Sequence, residues 1–217
     1  MILPCLSHDS FLRILSDENM LVIDTRAAAN FGDGFITNSV FVSPNQMYPA
    51  TFHSIFPERI ACTIIIEKGA KPEAMVAALN GIGFTDITGF IEAGGPEWKA
   101  LCTDMVITID PDELAMDLPH DDNLVLIDVR SVTEFAEGHL KDAQHLALED
   151  MGDLANIALI PEDANVYLYC SNGNRSMTAA SLLKIQGLHN FRVVLADWEV
   201  ISSTPGLKTD KVPEQLN

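Results

Sequence analysis

Positive charge is scarce in this chain: 13 lysines and arginines stand against 31 aspartates and glutamates, a formal net charge of −18. A surface that negative gains nothing from a phosphate backbone or an anionic bilayer, so neither nucleic acid nor membrane is expected as a partner. It does not draw anions from a distance either, so any anion selectivity has to be local. Four cysteines, at 5, 62, 102 and 170, form no Cys-x-x-Cys and are too sparse for a disulfide framework. Six histidines, at 8, 53, 120, 139, 145 and 189, form no His-x-His or His-Glu-x-x-His cluster, so no metal is expected. No apolar run approaches the length of a membrane span. The first eight residues carry no basic stretch ahead of an apolar one, so no signal peptide is expected. Free thiols suit a reducing compartment, and the cytoplasm is the expected location.

What is present describes a globular protein. Hydrophobic residues make up 47% of the chain and charged ones 20%, a core-forming balance and not that of a disordered chain. At 217 residues there is room for two domains of ordinary size. A shift of 104 residues brings out a repeat: Ile23, Asp24 and Arg26 fall on Ile127, Asp128 and Arg130, Phe31 on Phe135, and Gly34 on Gly138. Further on, Gly69 meets Gly173, Leu79 meets Leu183, and Gly83 and Phe84 meet Gly187 and Leu188. So long a period marks two copies of a domain and not a solenoid. One α/β domain is expected over residues 1–105 and another over 106–217. Apolar runs at 20–23, 62–66, 124–127 and 166–169 read as buried strands. Near the boundary, a short strand over 105–109 precedes a helix start with Asp110 as cap, Pro111 at the first position and Glu113 closing a capping box. The tail, 204–217, has two prolines and mixed charge and reads as an extended wrap or a partly mobile end.

The stretch that carries chemistry follows the strand at 166–169. Ala179, Ala180, Leu182 and Leu183 put 176–186 on a helix, with Gly187 as its stop. Between strand and helix lie Cys170, Ser171, Asn172, Gly173, Asn174, Arg175 and Ser176. A cysteine at the carboxyl end of a buried strand, facing a helix start, sits where open α/β sheets place ligands. The N–H groups of the helix start and of the turn at Gly173 are expected to converge as an anion-binding nest that holds the sulfur as thiolate. The helix dipole contributes about 0.3–1 kcal/mol to that, and the loop amides and Arg175 add to it.

Two plainer readings compete. A free cysteine is often core filler, and an Asn-Gly pair often turns a hairpin. Filler needs no polar glycine loop after it, and a hairpin needs a second strand where this sequence has a helical pattern. The first copy lacks the thiol: Ile66 stands at the position of Cys170, Glu67 at that of Ser171 and Lys71 at that of Arg175. Cys62 lies four residues back inside the strand and does not reach that loop.

Residues 170–176 resemble the active-site loop of the rhodaneses, sulfurtransferases that carry sulfur as a cysteine persulfide. Residues 126–140, with Asp128, Arg130, Glu134, Phe135, Gly138, His139 and Leu140, resemble that family's other signature, Asp-x-Arg followed by Glu-Phe and Gly-His-Ile/Leu. The resemblance implies two tandem rhodanese-like domains, each a mainly parallel sheet flanked by helices. Residues 1–105 would be a degenerate, non-catalytic copy and 106–217 the catalytic one. It implies that Cys170 accepts sulfane sulfur from thiosulfate or a persulfide and passes it to a thiol or cyanide, without a cofactor. The partners so implied are a small sulfane donor and a thiol acceptor, which can be a protein. Gly94, Gly95 and Trp98 resemble the family's closing turn, where the second copy has Leu195, Ala196, Asp197 and Trp198 and lacks the paired glycines.

Asp128 and Arg130 recur as Asp24 and Arg26 in the copy with no thiol, so they are expected to be structural, as an ion pair with backbone hydrogen bonds at the strand end. Glu134 and His139, replaced by Asn30 and Phe35 in the first copy, have three places open to them: facing the active loop, behind it, or on the surface, the last two being the expectation. Trp98 and Trp198 read as packing residues of the domain edges. Three other functions stand beside sulfur transfer. One is a non-enzymatic regulatory or binding module. Another is a partner of a lactamase-fold hydrolase that handles persulfides, whose His-x-His-x-Asp-His this chain lacks. The last is a Cys-dependent phosphatase or arsenate reductase. Such enzymes separate Cys and Arg by five residues; here four do, 171–174, a nest sized for sulfur more than for a tetrahedral oxyanion. Apart from Arg175 the loop side chains are neutral, so a thiol persulfide suits the site at least as well as dianionic thiosulfate.

Overall fold

The computed structural model describes residues 3–17, 19–43, 49–56, 60–161 and 163–212. The last five residues of the expected tail lie outside that range, as do the first two of the chain. The chain forms two compact units, Met1–Met105 and Val106–Asn217, each a mixed α/β fold. Among the described residues no helix is long and apolar enough to cross a membrane.

The first unit runs α1 (His8–Leu15), β1 (Met20–Asp24), α2 (Ala28–Asp33), β2 (Val40–Phe41), α3 (Pro49–Ile55), β3 (Ala61–Ile66), α4 (Pro72–Ile82), β4 (Ile87–Glu92) and α5 (Gly95–Leu101). Its sheet has the order β2-β1-β3-β4, and every neighbouring pair is parallel. The central strand β3 is buried from Cys62 to Ile66 without alternation. That is how a parallel strand covered on both faces reads in sequence.

The second unit runs β5 (Ile107–Ile109), α6 (Pro111–Asp117), β6 (Leu124–Asp128), α7 (Val132–Glu137), β7 (His139–Leu140), β8 (Gln144–His145), a 3-10 turn (Leu148–Gly152), α8 (Leu154–Ile157), β9 (Asn165–Tyr169), α9 (Asn174–Ile185), β10 (Phe191–Val194), α10 (Trp198–Ser203) and β11 (Thr209–Asp210). Its sheet, β5-β10-β9-β6-β8, is again parallel throughout. From the tail, β11 pairs antiparallel with β7. Leu114, Tyr167, Tyr169, Val194 and Ile201 form the buried centre of one face. The Asp110 carboxylate accepts the Glu113 N–H at 2.8 Å, the forward half of the expected capping box. The reciprocal box forms at Ser131 and Glu134, where α7 begins.

The two units match strand for strand. Met20 pairs with Ala61 as Leu124 pairs with Asn165, and Ile23 with Val40 as Ile127 with Gln144, each 104 residues on. Asn38 and Asp142, also 104 apart, share the left-handed conformation at φ 68° and 65°. Even the edges correspond. Cys5 bridges in parallel to Phe90 of β4 as β5 pairs with β10, and Phe35 bridges to Asp104 as β7 pairs with β11. The offset breaks at a bulge between Cys62 and Thr63, where β4 slips by one residue against β3. From Gly89 of β4 onward the sequences no longer superpose by the shift of 104.

Candidate active site

Cys170 is the first residue past β9, and α9 begins at Asn174, two residues earlier than the apolar spacing predicts. The difference lies in Gly173. Its φ of 82° is open to glycine at little cost, and it turns the chain directly into the helix as the N-terminal cap. Asn172 Oδ1 accepts the Asn174 N–H and its side-chain amide, both at 3.3 Å, which fixes the turn from within. From outside, the Trp198 N–H donates to the Ser171 carbonyl at 2.8 Å.

The turn aims its donors at sulfur. The N–H groups of Gly173 and Ser176 lie 3.1 and 3.4 Å from Cys170 Sγ, and the Ser176 hydroxyl 3.5 Å. That hydroxyl has a single proton, and the Gly173 carbonyl at 3.0 Å is its nearer partner. The two backbone donors are therefore the firm ones, and they are a structure suited to a negative sulfur. Cys170 is fully buried. Leu195 lies against the loop where the closing turn lacks glycines, so close that a methyl on Gly173 would come within 2.3 Å of its Cδ1.

Arg175 does more than expected. Its guanidinium interacts electrostatically with Cys170, as expected, and in addition two of its nitrogens grip Glu134 Oε1 and Oε2 at 2.6 Å each, and Nη2 donates to Ser171 Oγ at 2.9 Å. Glu134 is thus not a bystander behind the loop. It accepts from the Ser131 N–H and hydroxyl as well, at 3.1 and 2.7 Å. The Arg175 hydrogen bonds hold the Glu134 carboxyl at about 2, well below the usual carboxylate range, with Ser131 assisting and partial burial opposing. Sequence spacing shows the Ser131–Glu134 capping signature but gives no sign of a partner 41 residues on.

Asp128 and Arg130 stand beneath the site as a buried bidentate pair, with a shortest contact of 2.6 Å. Arg130 also donates to the Gly138 carbonyl, and its guanidinium lies 3.9 Å from the centre of the Trp198 ring. Asp24, Arg26, Gly34 and Trp98 repeat that arrangement, with Arg26 4.8 Å from its ring. The two tryptophans therefore cover the Asp-x-Arg arginines, a role the sequence alone did not assign them. The only signal for it was their common place in the closing turn. His139 stacks on Phe135 at 3.8 Å and bonds the Phe135 carbonyl through Nδ1; it packs α7 and does not join the loop's hydrogen bonds. In the first unit a buried Ile66 takes the place of the thiol, and Glu67 accepts from Asn30 at 2.6 Å. Of the other cysteines, Cys62 is pushed up to about 12 by burial, Cys102 is also raised by burial, and Cys5 is exposed.

The family model for the rhodanese-like domain matches residues 110–204. A sulfurtransferase of Allochromatium vinosum is 34% identical over 83 residues, covering 38% of this chain and 76% of that protein. The chain belongs to the rhodanese-like family. Another rhodanese-like relative, the thiosulfate sulfurtransferase GlpE of Pseudomonas putida strain GB-1, is 32% identical over 94 residues, 43% of this chain and 84% of the relative. Among solved structures, the rhodanese-like domain of Anabaena Alr3790 aligns with a TM-score of 0.45 at 18% identity, over 52% of this chain and 85% of that one. A thiosulfate sulfurtransferase from Pseudomonas aeruginosa aligns over 96% of this chain and 41% of its own, with a TM-score of 0.39 at 15% identity.

Proposed function

We propose that this protein is a sulfurtransferase whose Cys170 takes up sulfane sulfur as a persulfide and hands it to a thiol or cyanide. The observation that supports this most directly is the pair of backbone N–H groups converging on Sγ from Gly173 and Ser176. A thiolate held there attacks the outer sulfur of a donor, and the resulting Cys170–S–S⁻ keeps its charge near the same donors. The first unit, with Ile66 at the strand end, is on this reading a non-catalytic copy. The names of the Allochromatium and Pseudomonas relatives favour the same chemistry.

The test is intact mass after exposure to several sulfane donors. The chain should gain one sulfur atom, on the Cys170 peptide, removable by dithiothreitol. Cys170→Ser should lose that sulfur and all transfer while keeping its fold. Substantial transfer by that variant would move the nucleophile elsewhere. One observation favours a second reading, a regulatory or binding module: Cys170 is wholly covered. If no donor ever loads sulfur on Cys170, that reading takes over.

A further inference from the structure

We propose that Glu134 sets the donor class of this site, by occupying Arg175 and so excluding oxyanion donors such as thiosulfate in favour of thiol persulfides. This rests on Cys170 being the sulfur acceptor and names what reaches it.

The two donor classes differ in what leaves. With thiosulfate, Cys170–S⁻ attacks the sulfane sulfur, the S–S bond breaks, and sulfite departs with both electrons as a dianion: Cys–S⁻ + S₂O₃²⁻ gives Cys–S–S⁻ + SO₃²⁻. Three negative charges share the site throughout, and a cation beside the leaving group is what makes that tolerable. With a persulfide, Cys–S⁻ + R–S–SH gives Cys–S–S⁻ + R–SH. The leaving sulfur takes the donor's own proton, and one negative charge is present throughout; with the donor ionised, Cys–S⁻ + R–S–S⁻ gives Cys–S–S⁻ + R–S⁻, two charges, still one fewer than with thiosulfate and with no oxyanion leaving.

The loop supplies little for the first case. Arg175 is its sole cationic residue, since Ser171, Asn172, Gly173, Asn174 and Ser176 are neutral. Two of the Arg175 nitrogens are bound by Glu134 at 2.6 Å and one of them also by Ser171. The Glu134 carboxylate is positioned by Ser131 and by the capping of α7, so it does not swing aside freely. Leu195 narrows the same loop from the closing turn. A carboxylate of the protein thus holds the guanidinium that an oxyanion would need, and a chain of net charge −18 offers no compensating field. For the slimmer persulfide, the backbone donors at Gly173 and Ser176 suffice.

The experiment compares initial rates of Cys170 persulfidation in the full chain, by mass, from thiosulfate and from cysteine persulfide. Glutamine is the informative replacement because it keeps the capping box, which accepts Glu or Gln, while removing the charge. Wild type should load from cysteine persulfide in preference to thiosulfate. Glu134→Gln should raise the thiosulfate-to-persulfide rate ratio by about tenfold or more, the scale of one charge-assisted hydrogen bond gained by the donor. Most of that gain should appear in the thiosulfate concentration dependence and not in the saturated rate. Adding Arg175→Gln should return the ratio to the wild-type value. An unchanged ratio in Glu134→Gln, or a rise that survives loss of Arg175, overturns the proposal, and so does a wild type that prefers thiosulfate. A further measurement needs no variant: at constant ionic strength, sulfate should not inhibit loading by cysteine persulfide, and inhibition below the donor's own concentration would also overturn it. Loading from neither donor would instead defeat the sulfurtransferase reading and this inference with it.

Discussion

Gly69 and Gly173 stand 104 residues apart with nearly the same φ, 79° and 82°, yet a methyl group added to each would meet different surroundings. At Gly69 nothing lies within 4 Å; at Gly173 the methyl would press on Leu195 at 2.3 Å. Gly69→Ala should therefore cost only the left-handed strain, about 1–2 kcal/mol. Gly173→Ala adds overpacking of about 1–3 kcal/mol. It should also displace an N–H that points at sulfur. Denaturant midpoints of the two variants check the difference, and equal losses would mean that Leu195 yields freely. Sulfur loading should fall only in Gly173→Ala. The glycine itself was legible in the sequence, as the turn between a strand and a helix. Leu195 pressing on it was not, because nothing local to either residue encodes a contact across the closing turn.

At the scale of elements, the Glu134–Arg175 pair joins the first turn of α7 to the first turn of α9. A carboxyl held at about 2 in the folded chain, against about 4.3 unfolded, stabilises the fold fully above pH 4.3. That contribution is lost as the pH falls from there through 2. The shift alone corresponds to about 3 kcal/mol. Since the Glu134 side chain is 34% exposed, solvent screening reduces this to roughly 1–2 kcal/mol. Wild type should accordingly be more stable than Glu134→Gln near neutral pH, and the gap should close as the pH is lowered toward 2. Parallel urea titrations at several pH values measure it. A gap that persists at pH 2 would assign the stabilisation to packing. Elements such as β9, α9 and their joining loop could be read from apolar spacing and glycine placement. The tie between α7 and α9 could not, because charge pairing at a distance leaves no periodicity, and Asp110–Glu113 offered an equally good capping signature.

At the scale of the whole chain, the repeat was legible wherever the strand register is regular. The fixed offset ends where β4 slips by one residue against β3, and Trp98 and Trp198, 100 residues apart, are matched by their common place in the closing turn and not by the shift. What separates the two units chemically is more than the missing thiol. Gly69 shares the positive φ of Gly173, but Pro72 stands 104 residues before Ser176 and has no N–H to donate, so one of the two donors that face Cys170 Sγ has no counterpart at Ile66. Beside Ile66, the position of Ser171 holds Glu67, whose carboxylate accepts from Asn30 at 2.6 Å and from the Ala27 N–H at 3.3 Å. Those bonds hold a negative charge next to the strand end, where a sulfur would have to ionise, and a like charge disfavours the thiolate. Restoring the nucleophile should therefore not restore function. In the double variant Ile66→Cys, Cys170→Ser, the full chain should gain no sulfur from cysteine persulfide under conditions that load wild type completely, as read by intact mass and peptide mapping. Adding Glu67→Ser to that pair should permit at least slow loading of the new thiol. Rapid loading without the Glu67 change would mean that loss of the cysteine alone silenced the first unit, and that its loop remains competent for a persulfide.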